Sequence, residues 1–206
     1  MVDEVDEMIL PGAEQYWKDP SNCLELAGSW RAMGITPILR AVRAELANIP
    51  EKDRQSVLEL GCGTGRVLSI LDCQTYTGVD QSPDMLSLAP PNDGRCLFIM
   101  ADIGNCPVVK ADLVLCIEVL HHQTDPLETL ALIKSRYQYK HLIATLMVAE
   151  KRQEFGLLDG IGSIAVAHED AIKATDGALV TFVDHDPLST WIIHYENKSP
   201  AKRRKA

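Results

Sequence analysis

After residue 56 the chain alternates short, nearly unbroken apolar runs with stretches of helical periodicity. The runs fall at 56–60, 76–79, 96–100, 112–117 and 141–148. Runs of this length without polar alternation are expected of parallel strands covered on both faces. Helices predicted at 66–72, 83–88 and 126–136 fill the first, second and fourth gaps, and their short links suit right-handed crossovers. The third gap, 101–111, contains Pro107 and has room for one helical turn at most. Upstream, Thr36-Pro37 reads as an N-cap with proline at the first helical position, and Ile38, Leu39, Val42 and Leu46 then mark one helical face. Downstream, 169–174 is helical, while 178–183 and 190–195, rich in β-branched and aromatic residues, predict an antiparallel pair. The expected architecture is α/β: five parallel strands, an antiparallel C-terminal strand pair and helices on both faces. Residues 1–35 are expected to form a helical lid, 36–197 the main domain and 198–206 a tail.

The chain has 206 residues and 46% hydrophobic content, enough for one domain with a filled core. Its longest apolar run, 142–149, is interrupted by Thr145 and is far shorter than the roughly 20 residues of a membrane span. The acidic start lacks a basic signal-peptide segment, so a soluble, cytoplasmic protein is expected. The formal net charge is −9, but Lys198, Lys202, Arg203, Arg204 and Lys205 are concentrated in the last nine residues. Without them fifteen basic side chains face twenty-nine acidic ones, and such a body repels nucleic acid. The tail reads as a solvated terminus, with a nucleic-acid or membrane-surface patch as the competing reading. Six cysteines without a C-x-x-C pair suit a reducing compartment, and none is a candidate nucleophile.

The segment VLELGCGTGRVL, residues 57–68, carries the most chemistry. A strand runs into glycines at 61, 63 and 65 and then toward a helix, so a ligand must approach that backbone closely. A dinucleotide fingerprint, G-x-G-x-x-G, would need glycine at 66, where the chain has Arg66. G-x-G-x-G after an acidic apolar strand resembles instead the first motif of class I S-adenosylmethionine (SAM) methyltransferases. Three further stretches share the resemblance: Gly78-Val-Asp80, Ala101-Asp-Ile103, and the run from Asp112 through His121-His122 to Pro126. The last of these resembles the fourth-strand motif of the methyltransferase type 11 branch, and the terminal strand pair resembles the family's sixth and seventh strands.

The resemblance implies a Rossmann-like, mostly parallel seven-stranded sheet and SAM as cofactor. Carried over position by position, it implies Glu59 and Gly61 near the methionine portion and Gly63 and Gly65 in the loop. It further implies Asp80 with Gln81 at the ribose, Met85 on the adenine face, Asp102 and Ile103 at the adenine edge, and the Cys116 carbonyl near the sulfonium. The implied reaction is methyl transfer to an O or N nucleophile of a small molecule. An RNA or protein acceptor guided by the tail, and a SAM-binding subunit without turnover, are the alternatives. His122 is the candidate general base and His121 its neighbour in the pocket wall, since imidazole is suited to proton removal near neutral pH. A packing role for both histidines is the competing reading. Tyr16-Trp17 and Trp30-Arg31 are candidate lid residues. Glu118-Val-Leu-His-His122 also resembles the E-x-x-E-H metal stretch of small-RNA 2′-O-methyltransferases, but position 121 is His rather than Glu, and no metal is expected.

Overall fold

A computed structural model describes residues 16–107, 110–156, 162–185 and 188–197. Within them, one sheet has strands β1 (Ser56–Leu60), β2 (Thr75–Asp80), β3 (Cys96–Met100), β4 (Leu113–Cys116), β5 (His141–Ala149), β6 (Gln153–Gly156), β7 (Gly162–Ala167), β8 (Leu179–His185) and β9 (Leu188–Glu196). The helices are α1 (Pro20–Met33), α2 (Pro37–Asn48), α3 (Pro83–Ser87), α4 (Pro126–Arg136) and α5 (His168–Ala174). Strands β3, β2, β1, β4 and β5 lie side by side in that order, all parallel. Antiparallel β9 lies between β5 and β8. These seven strands form the architecture expected from the sequence, a Rossmann-like methyltransferase fold.

The unbroken apolar runs follow from packing on both faces. Val57, Leu113, Leu115, Ile143 and Ile192 point to one side, where Leu39, Val42 and Leu46 of α2 cover them. Leu58, Leu60, Val114, Leu142 and Ile193 point to the other side and meet Leu130 and Ile133 of α4. The N-caps are local and specific. The Thr36 hydroxyl accepts the Leu39 N–H at 3.3 Å, and Asp125 accepts from Leu127 and Glu128 at 3.0 Å each.

Two features depart from the sequence expectation. Residues 66–70 form a 3-10 helix rather than an α-helix: the segment is entered from Gly65 at positive φ without a side-chain N-cap, whereas the equally short α3 is capped by Ser82. The larger difference is the β6–β7 hairpin, in a region where no element was expected. Strand β5 outruns β4: its first four residues pair with β4, while Val148 and Ala149 pair with Val166 and Ala167 of β7. Because β9 occupies the other edge of β5 up to Val148, β7 sits beyond the carboxyl end of β4 and walls that end of the sheet. No described helix is long and apolar enough to cross a membrane.

Candidate functional site

The carboxyl ends of β1, β2 and β4 open into a cavity of about 250 Å³, roofed by Trp17 and by Trp30 of α1. Open α/β sheets bind ligands beyond these strand ends, where the strand order reverses around β1 and β4. The loop after β1 is held by its neighbours. Gly61 and Cys62 donate their N–H groups to the Val79 carbonyl at 2.7 and 2.9 Å. Gly61 has φ 72°, and a Cβ there would fall inside the Val119 side chain. Gly63 has φ 51°, and its Cβ would meet the Met85 methyl at 3.0 Å. The loop therefore exposes backbone to the cavity where side chains do not fit.

Asp80, at the end of β2, accepts the Gly63 N–H at 2.7 Å and the Ser82 N–H at 2.9 Å, one on each carboxylate oxygen. Burial pushes its pKa up, opposed by N–H donors from Ser82, Gly63 and Gln81. A carboxylate oxygen accepts more than one hydrogen bond, so both oxygens still have lone pairs for a ligand. The Ser82 hydroxyl does two things: it caps α3 through Met85 N–H and donates to the Trp17 carbonyl at 2.7 Å. The roof is thereby tied to the Asp80 turn.

Met85 is buried against the cavity, as is Ile103. Asp102 accepts the Gly104 N–H at 2.6 Å, which fixes the turn after β3. Glu59 lies at the cavity floor with 1% exposure and takes a 2.5 Å hydrogen bond from the Tyr76 hydroxyl. Burial pushes its pKa up to about 8 despite that bond, so at neutral pH it is mostly a neutral acid.

On the β4 side, His121 and His122 both reach the cavity, their ring centroids 4.0 Å apart. The His122 Nδ1 lies 3.1 Å from the Gly162 carbonyl of β7, and the Trp17 ring meets its ring edge-on at 5.5 Å. A carbonyl can only accept, so Nδ1 carries the hydrogen and Nε2 the lone pair in the neutral ring. Burial lowers the pKa of both histidines, and for His121 the neighbouring imidazole lowers it further. Both stay neutral below the ordinary histidine range.

Of the residues singled out in the sequence, Glu59, Gly61, Gly63, Asp80, Gln81, Met85, Asp102, Ile103, His121 and His122 share this one cavity. Gly65 and Cys116 do not line it. Gly65 faces the Phe98 ring behind the loop, and Cys116 is fully buried beneath Ile117 and Glu118, which line the cavity instead. Trp17 and Trp30 reach the cavity; Tyr16 and Arg31 do not. Besides several apolar residues, three charged or amide side chains line the cavity that the sequence does not single out as cofactor contacts: Arg66, Glu118 and Gln123. Arg66 stood out in the sequence only as the break in G-x-G-x-x-G. Gln123 is 4% exposed, with a buried Oε1 that has no hydrogen-bond partner. Among the described residues, no group of three His, Cys, Asp or Glu converges to hold a metal ion. The 198–206 tail lies outside the described residues.

Residues 58–135 match a family model described as a methyltransferase domain. Over 119 residues the chain is 32% identical to ribosomal RNA large subunit methyltransferase G of Shewanella amazonensis, which covers 51% of this chain and 31% of that protein. Over 74 residues it is 36% identical to trans-aconitate 2-methyltransferase of Escherichia coli, covering 34% of this chain and 29% of that one. The match thus spans about three-tenths of either curated relative. A solved structure, the Burkholderia thailandensis 1,6-didemethyltoxoflavin-N1-methyltransferase with bound 1,6-didemethyltoxoflavin and S-adenosylhomocysteine, superposes with a TM-score of 0.62. Its identity is 17%, over 95% of this chain and 94% of that one. The family resemblance read from the four motifs holds over the matched residues, and the fold is that of the SAM-dependent methyltransferases.

Proposed function

We propose that the chain is a SAM-dependent methyltransferase acting on an O or N nucleophile of a small molecule. The observation that carries this reading is the single cavity that joins the glycine loop and Asp80 to the His121–His122 pair under a tryptophan roof. The residues present fit the cofactor. The loop presents bare backbone to the cavity at Gly61 and Gly63, Asp80 offers lone pairs to ribose hydroxyls, and Met85 and Ile103 form apolar walls for a purine. When bound, SAM supplies a methyl group already activated by the sulfonium.

The protein's part is then to position a nucleophile, exclude water and take a proton. Positioning alone contributes on the order of 7 kcal/mol. Trp17 and Trp30 close the cavity from above, and the N-terminal segment serves as a lid tied down through Ser82. His122, with Nδ1 engaged by Gly162, presents Nε2 as the base for an alcohol, phenol or ammonium acceptor.

Calorimetry with S-adenosylhomocysteine tests the cofactor assignment. Replacing Asp80 by alanine removes the ribose acceptor and releases the Gly63 N–H. A cost of about 1.5 to 3 kcal/mol is expected, or roughly ten- to a hundredfold in affinity. Unchanged affinity in a folded Asp80→Ala protein overturns the assignment. A second reading, an RNA acceptor, is favoured by the identity to the ribosomal RNA enzyme. It requires salt-dependent RNA binding that disappears when residues 198–206 are removed, because the remaining body is acidic.

A further inference from the structure

A buried polar atom without a hydrogen-bond partner is costly, and few survive in a native fold without a function. Among the described residues, six buried side-chain nitrogens or oxygens have no partner, and of the residues that carry them only Arg66 and Gln123 line the cavity. Arg66 keeps other bonds: its Nη2 donates to the Gly34 carbonyl at 3.3 Å, and its guanidinium lies over the Trp30 ring. Gln123 is different. The residue is 4% exposed, and its Oε1, which can only accept, meets neither a donor nor bulk water.

The place of this amide in the fold narrows what it can meet. Gln123 directly follows His122, and its backbone N–H donates to the Leu120 carbonyl at 3.0 Å, which closes the 3-10 turn that carries both histidines. Its backbone is therefore fixed, while the terminal side-chain torsion is soft enough to turn the oxygen toward a ligand. The turn stands after β4 and faces β7, where the Gly162 carbonyl holds His122. Asp80, Met85, Asp102 and Ile103, which suit the nucleoside, follow β2 and β3 on the far side of β1. Gln123 thus belongs to the half of the cavity left to the methyl acceptor. The Trp17 ring, edge-on to His122 at 5.5 Å, gives that half an aromatic border.

We propose that Gln123 selects the methyl acceptor, its Oε1 accepting a hydrogen bond from a second N–H or O–H that stands beside the group whose proton His122 takes. This rests on the methyltransferase reading and narrows its substrate class to compounds with two neighbouring donors, such as dihydroxy- or aminohydroxy-aromatic compounds. One donor is methylated and the other is read. A compound whose second group is already methylated keeps that oxygen but has no hydrogen to give, and it leaves Oε1 as unpaired as it is in the free chain.

The test titrates the full chain, saturated with S-adenosylhomocysteine, with catechol and resorcinol and with the monomethyl ether of each, followed by NMR. Each ether shares the ring, one hydroxyl and the second oxygen of its parent and lacks only the second donor. At least one diol should bind about five- to tenfold more tightly than its ether. In Q123M, which keeps the side-chain length and removes the amide, that ratio should fall to within about twofold, while S-adenosylhomocysteine affinity stays within about threefold of wild type. Without ligand, Q123M should melt about 2 to 4 °C higher, because an unpaired buried oxygen has gone. A lower melting temperature would show that the amide serves the fold and overturn the proposal. So would a diol preference that persists in Q123M, which would trace it to the bulk of the ether methyl. A wild type that binds S-adenosylhomocysteine but prefers neither diol overturns the role of Gln123 alone, with no variant needed. A wild type that does not bind S-adenosylhomocysteine overturns the methyltransferase reading beneath it.

Discussion

His121 and His122 are neighbours in the chain and open onto the cavity, whereas His141 and His194 are 53 residues apart and meet under α2. In the second pair, His141 Nδ1 lies 3.0 Å from His194 Nε2. His194 Nδ1 faces Glu45 of α2 at 3.7 Å, and Glu45 in turn accepts the Thr181 hydroxyl at 2.6 Å. The register of β5 and β9 brings them together: His141 sits opposite Glu196, and His194 is two residues back on the same face. Burial lowers the pKa in both pairs. A depressed histidine pKa therefore does not distinguish the two regions. Where the ring nitrogens go does: the β5–β9 pair joins one nitrogen of each ring to the other and leaves His194 Nδ1 buried near Glu45 without a hydrogen bond, while His122 spends one on a carbonyl and keeps one for the cavity.

The largest effect should come from breaking the first pair. With the acceptor in hand, His122→Ala should lower turnover by about 10² to 10⁴ while retaining S-adenosylhomocysteine affinity. His141→Ala should leave turnover within about twofold. Product formation followed by mass spectrometry checks both. Equal rates in wild type and His122→Ala would return the cavity pair to a packing role and erase the contrast.

The next effect concerns stability. Removing His194 leaves the buried His141 Nδ1 without its hydrogen-bond partner, and such an orphaned group costs about 1 to 3 kcal/mol. His194→Ala should therefore unfold at lower denaturant concentration by that order. His122→Ala, half-buried at a cavity wall, should lose less. A reversal of that ranking in urea titrations would mean that the cavity pair is the structural one.

Most of this could be read from the chain, and the parts that could not share a cause. Helix α4 was bounded correctly because Asp125 and Pro126 start it and the apolar positions Leu130 and Ile133 repeat along one face. The glycine loop, Asp80 and Asp102 were legible because each follows directly on an apolar strand. The β6–β7 hairpin was not: Gln153–Gly156 has no period-two pattern and takes its structure from pairing with β7, itself anchored on the excess length of β5. Gly162 is thus invisible as the partner of His122, although 40 residues away in sequence it fixes the tautomer. Arg66 was noticed for the glycine it replaces. Its meaning depends on Trp30, Gly34 and Glu118, which only the folded sheet brings to it.

Acid should sharpen the contrast further. His141 and His194 bind protons less readily in the folded chain than in the unfolded one, whose histidines titrate near about 6.5. The unfolded state therefore takes up protons first, and stability is lost as pH falls below that value. Unfolding free energy between about pH 7 and 5 should drop more in wild type than in a folded His141→Gln/His194→Gln protein. Turnover should keep its plateau below the usual histidine range, because the lowered pKa keeps His122 unprotonated there. A rate that falls around pH 6.5 or above would contradict the buried, neutral base.

The smallest effect separates the two cavity histidines from each other. Among the described residues no carbonyl hydrogen bond orients His121, and its pKa is lowered by burial and by the imidazole beside it. As part of the wall it should contribute through shape and water exclusion, so His121→Ala should lower turnover by less than about tenfold and raise KM as much as it lowers kcat. His122→Ala should act on kcat. The distinction also has a pH signature: a variant lacking the base should regain rate as pH rises, since a pre-ionised acceptor no longer needs a proton removed, whereas a variant lacking only a wall residue should keep the wild-type profile. If His121→Ala recovers with pH and His122→Ala does not, the base is His121, and the hydrogen bond from His122 to Gly162 serves to hold the wall on which it stands.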